Sequence, residues 1–152
     1  MLLEGIKPFT ENLIIFGFPI FFIGAWLIVL KIISEASGWT SLVEHFYFPE
    51  KFKGKIYKCR YIQLRNARSK AGVAKLGCTN IGYNETGLYL VPYLIFRPFF
   101  KPILIPWDKI EVTVFKEFFT TFCRCTIQDV PDINILIPKR TFDKAKNILK
   151  NH

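Results

Sequence analysis

The chain has 152 residues, a formal net charge of +9, 51% apolar residues and 16 phenylalanines. That fits one domain of ordinary size with a short appendage, and it excludes a disordered, low-hydrophobicity chain. Four cysteines (Cys59, Cys78, Cys123 and Cys125) without repeated C-x-x-C spacing exclude a zinc-ribbon framework and predict reduced, mostly buried thiols.

Residues 1–12 read as a short polar tail. From Leu13 to Leu30 the chain runs for 18 residues without a charge, and 13 of these are Leu, Ile, Phe or Val. As a helix that run is about 27 Å long, and its insertion is worth about −4 to −8 kcal/mol as an upper bound. A transmembrane helix over 13–33 is therefore predicted, with Lys31 snorkelling at its end. Pro19 and Gly17 are tolerable inside it. Gly17, Gly24 and Ala25 are the small positions at which a partner helix could pack. A cleaved signal peptide, with Ser34-Glu35-Ala36 as its cleavage site, is the competing reading; against it, the run is longer than the usual h-region and the segment before it is poor in cations.

Residues 37–48 form a juxtamembrane amphipathic helix, with Trp39, Leu42, Val43 and Phe46 at helical spacing, Ser37 as N-cap and Pro49 as its stop. A β-rich domain follows over 52–152. Strands are predicted at 55–64, 73–83, 88–91, 103–105, 110–115, 118–128 and 133–137, with prolines near their ends and Asn84-Glu85-Thr86-Gly87 as a turn. Thr141 is the expected cap of a closing helix that turns Phe142, Ala145, Ile148 and Leu149 inward.

Seven short strands followed by an amphipathic helix resemble the pleckstrin-homology (PH) superfold. The stretches Glu85-Thr86-Gly87-Leu88-Tyr89-Leu90 and Pro102-Ile103-Leu104-Ile105-Pro106-Trp107-Asp108-Lys109-Ile110 resemble the core of GRAM-like and bacterial PH-like domains. With Ser37-Gly38-Trp39 upstream, the whole chain resembles small bacterial proteins carrying one N-terminal membrane helix. The resemblance implies an α+β fold: a transmembrane helix, then a seven-stranded, partly open β-barrel or sandwich closed by a C-terminal helix. Gly87 then suits a positive-φ position, Leu88 and Leu90 point inward, and Trp107 packs in the core.

The entire charge excess lies between Lys51 and Asn84, where nine cations meet no carboxylate. In PH-like domains the first two strands and their loop form the headgroup-facing rim. The resemblance therefore implies that Lys58, Arg60, Arg65, Arg68 and Lys70 meet anionic lipid headgroups, at about 1 kcal/mol per cation. A second candidate surface is the loop 91–102, where Phe96, Arg97, Phe99 and Phe100 mix aromatic and cationic groups as membrane interfaces do. The resemblance implies a bacterial inner membrane, and cation bias and unpaired cysteines predict that the domain lies on its cytoplasmic side.

Cys123 and Cys125 share a strand face; with Cys59 and Cys78 a four-thiolate site is geometrically conceivable, but C-x-C alone does not specify a metal, and none is predicted. Two histidines and no nucleophile motif predict a non-enzyme without cofactor. The expected partners are anionic lipids rather than nucleic acid. The alternative function is that of a small accessory subunit, packing through its helix against a larger membrane complex and capping it on the cytoplasmic side.

Overall fold

A computed structural model describes residues 7–70 and 73–150. The order of elements is α1 (Lys7–Ser37), α2 (Trp39–Phe46), β1 (Lys55–Asn66), β2 (Val73–Tyr83), β3 (Gly87–Pro92), β4 (Ile103–Pro106), β5 (Ile110–Glu117), β6 (Thr120–Ile127), β7 (Val130–Pro138) and α3 (Lys139–Lys150). The strands form one antiparallel sheet in the order β4-β3-β2-β1-β7-β6-β5, curled into a half-barrel.

The 31 residues of α1 make a helix about 46 Å long. It starts at Lys7, so half of the expected polar tail is helical; 1–6 lie outside the described residues. It is the one helix among the described residues that is long and apolar enough to cross a bilayer. Most of it stands away from the domain, with Leu13 to Phe22 largely exposed, and its last turns bury Leu30, Ser34 and Ser37. Ser37 is thus the end of α1 rather than the N-cap of α2. That place belongs to Gly38, in the left-handed region at φ 84°. A side chain there would be strained and would run into that of Ile133.

The core lies inside the curl. Ile62 and Leu64 of β1, Ile81 of β2, Leu88 and Leu90 of β3, Cys125 of β6 and Ile135 of β7 are fully buried there, and Trp39 and Leu42 of α2 close one end. Strand β3 is buried on both faces, because Phe52 stacks on Tyr89 at 4.5 Å on the outside and covers Val91 with it. Pro92, Pro106 and Pro138 are the last residues of their strands, where a missing N–H breaks no ladder.

Two local expectations change. Gly87 does not need positive φ; any Cβ there would strike the Ile105 carbonyl of β4. The closing helix begins at Lys139, so Thr141 lies inside it, where its carbonyl accepts a hydrogen bond from Tyr83 Oη. The side chains of Ala145, Ile148 and Leu149 are outside the described residues, and Phe142 packs on the core. Trp107 stacks on Tyr83 at the core edge and donates Nε1–H to the Asn84 carbonyl at 2.7 Å.

Gly38→Ala should therefore destabilise the full-length chain by at least about 1–2 kcal/mol, read as a lower denaturation midpoint in detergent. Gly24→Ala, with nothing within 4 Å of its Cβ, should not lower it. Equal midpoints for the two variants would contradict the packing described at Gly38.

Candidate functional site

The best-formed surface feature is a rim where the last turns of α1, the β3–β4 loop and the start of β2 meet. The loop is built by proline and local hydrogen bonding. Pro92 ends β3, the Tyr93 N–H donates to the Cys78 carbonyl at 3.0 Å, and Leu94–Phe96 form a single 3-10 turn. The Phe96 carbonyl then accepts from the N–H groups of Phe99 and Phe100.

That compact loop is pinned to α1 and α2. Phe100 is wholly buried, 5.7 Å from the Trp39 ring and edge-on to Phe96 at 6.2 Å. Phe96 in turn meets Trp26 of α1 at 6.2 Å. Ser34 Oγ donates to the Phe99 carbonyl at 2.9 Å, and Trp39 Nε1–H donates to the Lys101 carbonyl at 3.1 Å. Asn66, at the end of β1, donates its amide N–H to the Ala36 carbonyl. These bonds fix how the domain sits on the helix.

What the loop leaves uncovered is Tyr93, Leu94 and Ile95, each more than half exposed, with Arg97 and Lys101 beside them. Of the four loop residues expected to meet lipid or a partner, Arg97 is exposed and Phe96 and Phe99 are partly buried. Phe100 is a correction, since burial against Trp39 leaves it no outer surface. Trp26 and Ser34, which hold the loop in place, carry no sequence signal of their own; Trp26 reads as an ordinary member of the apolar helix, and Ser34 lies just past its expected end.

The basic residues do not gather into one patch. Lys58 and Arg68 are ten residues apart along one hairpin arm, about 30 Å in extended chain, several times the Debye length. Arg60 lies over the Tyr57 ring at 5.8 Å, with its Nε buried and without a partner. Arg65 pairs with Glu117 at 2.7 Å on the outer face and lies over Phe115. Arg68, at the β1–β2 turn, is paired with Asp132. Lys58 and Lys70 are exposed. Of the five expected headgroup cations, Arg65 and Arg68 are thus already offset by carboxylates, and Lys58 lies far along the strand from Arg68.

On α1, Gly17 and Gly24 share one side, about 100° from the docked side of the helix, and Ala25 lies about 100° further round. The three do not make one packing stripe.

The cysteines separate into two pairs. Cys59 and Cys78, on the adjacent strands β1 and β2, form a disulfide, which corrects the expectation of four reduced thiols. Cys123 and Cys125 are buried on the inner face of β6, as their spacing predicts. Burial, reinforced by the neighbouring Cys123, pushes the Cys125 thiol up to about 12. Burial also raises the Tyr83 phenol well above its ordinary range. Among the described residues no three His, Cys, Asp or Glu side chains gather as metal ligands would. His45 is exposed, with Nδ1 2.8 Å from the Ser41 carbonyl of its own helix. Asn84 of the Asn84-Glu85-Thr86 sequon is spent on its turn: its side-chain oxygen accepts from Thr86 and Gly87, and its amide donates to the Lys53 carbonyl.

Comparison with protein-family models, with curated proteins and with solved structures finds no match to this chain.

Proposed function

We propose that this chain is a non-catalytic, membrane-anchored PH-like module whose domain lies against an acidic leaflet through the rim beside α1. The observation that carries this reading is the position of Tyr93, Leu94 and Ile95. They are exposed, apolar and clamped to the turn of α1 at which the uncharged run ends. If Leu13–Leu30 fills a hydrocarbon layer of about 30 Å, Leu30 marks its edge and the loop stands at headgroup depth. Tyr93 and Trp26 are residue types that favour that depth. Lys31, Lys75, Arg97 and Lys101 surround the rim, and none of them takes part in an ion pair among the described residues. At about 1 kcal/mol each near an acidic surface they supply about 4 kcal/mol at most.

Amide hydrogen exchange of the full-length chain in nanodiscs tests this reading. Residues 93–101 should exchange more slowly in phosphatidylcholine discs containing phosphatidylglycerol than in pure phosphatidylcholine, and the difference should vanish in about 1 M salt. Arg97→Gln should cut the protection about five-fold, whereas Arg68→Gln, already offset by Asp132, should change it little. Identical exchange in the two lipids would overturn the reading.

The cytoplasmic side is proposed on the cation bias alone, because Cys59 and Cys78 no longer support it. In that compartment a disulfide is one that the thiol pool opens. Iodoacetamide applied to intact cells should then modify Cys59 and Cys78 and spare the buried Cys125. Protection of Cys59 and Cys78 until a reductant is added after lysis would place the domain on the oxidising side.

A second reading, an accessory subunit of a larger membrane complex, is favoured by two features. Gly17 and Gly24 lie uncovered on one side of α1, and Phe118 and Phe119 are almost fully exposed at the tip of the edge hairpin β5–β6. Stoichiometric recovery of one membrane complex with the tagged chain in mild detergent would replace the lipid reading by this one.

A further inference from the structure

Between the last turns of α1 and the start of β2 lies a cleft of about 380 Å³. Leu30, Ile33, Ala74, Leu76 and Phe96 line it, with Ala74 and Leu76 on the core side of β2, while Val73 and Lys75, on the alternate face of the same strand, border its mouth. The volume is within the range of small-ligand sites, and the lining has the usual composition of one: apolar walls with very few polar groups.

The position of the cleft selects its occupant. It begins at Leu30, where the uncharged run of α1 ends, and it follows the helix as far as Ser37, about 10 Å further along the axis. Ile32 and Ile33 carry an exposed apolar surface from the helix into the cleft without an intervening charge on that wall. A lipid beside α1 therefore meets a continuous apolar track that leaves the hydrocarbon and rises between the helix and the domain. Lys75, exposed on the alternate face of β2, borders the mouth of that track and has no ion-pair partner among the described residues, so a phosphate held there meets a cation without displacing a carboxylate.

We propose that this cleft takes up one acyl chain of an acidic phospholipid from the leaflet that α1 leaves, with Lys75 on its headgroup phosphate. The proposal rests on the membrane-anchored reading above and adds a bound lipid to it: the domain holds a particular molecule as well as resting on a charged surface. The gap between α1 and the start of β2 is then filled.

The test uses the full-length chain in phosphatidylcholine nanodiscs doped with phosphatidylglycerol that bears a diazirine near the end of one acyl chain. After photolysis, adducts are mapped by peptide mass spectrometry. Adducts are expected within 73–76 and at Phe96 as well as along α1. They should be at least five-fold weaker at 73–76 in Ala74→Trp, which fills the cleft. Lys75→Glu, at an exposed position that does not threaten folding, should lower them by a similar factor. A phosphatidylcholine probe with the same diazirine should label 73–76 at least five-fold less than the acidic one. Labelling confined to α1 would overturn the lipid site and leave the anchored reading standing. Equal labelling by the two probes, or labelling of 73–76 unchanged in both variants, would also overturn it. An α1 without adducts would instead remove the anchored reading itself.

Discussion

Everything that gives this molecule a direction depends on one joint, the seating of the last turns of α1 and the start of α2 against the β3–β4 loop. Trp39 is its centre. The ring is wholly buried against Phe100, and its one polar atom is satisfied by the Lys101 carbonyl, so a large apolar side chain is buried without an orphaned donor. Ser34 ties the helix to the same loop at the Phe99 carbonyl, two residues from the Lys101 carbonyl that holds the ring. Without this joint, a long apolar helix and a basic half-barrel would be connected by a swivel, and no face of the domain would be presented to anything in particular. With it, the exposed Tyr93-Leu94-Ile95 segment has a fixed height along the helix.

That constraint also reorders the importance of the charges. A count of cations along the chain draws attention to 51–84, where the entire excess lies. Strand geometry then distributes them along two long strands, and neighbouring carboxylates from β5 and the β6–β7 side offset Arg65 and Arg68. What matters electrostatically is how many uncompensated cations lie within a screening length of the same surface. Lys31, Lys75, Arg97 and Lys101, from three separate parts of the chain, border the rim without an ion pair among the described residues, with Glu35 beside Lys31 and Lys101.

Much of the architecture is legible in the residues because each element carries a strong local signal. The 18-residue uncharged run marks the long apolar helix, and period-two apolar patterns bounded by proline and glycine mark all seven strands to within a few residues. Helix ends are less legible. Ser37 is a good capping residue by type, and its hydroxyl does accept from the Trp39 N–H at 3.5 Å, yet it also donates back to the Ser34 carbonyl, α1 continues through it, and Gly38 makes the turn. Gly87 is required by close approach of Ile105 rather than by its backbone angle, a distinction only the neighbouring strand reveals. The site was half legible: an aromatic and cationic loop is visible at 91–102, but which of its aromatics face outward depends on Trp26, Ser34 and Trp39, far away in sequence. The Cys59–Cys78 pairing likewise follows from the register of β1 on β2, which no spacing rule supplies.

The central claim is that the joint sets the depth of the β3–β4 loop, and depth can be measured directly. Nitroxide labels at Leu94→Cys and, separately, at Phe118→Cys in the full-length chain in bilayers would report their relative accessibility to oxygen and to a water-soluble nickel complex. The account predicts headgroup-level depth for the label at 94 and full aqueous exposure for the label at 118. A label at 94 as accessible to nickel as the one at 118 would contradict it.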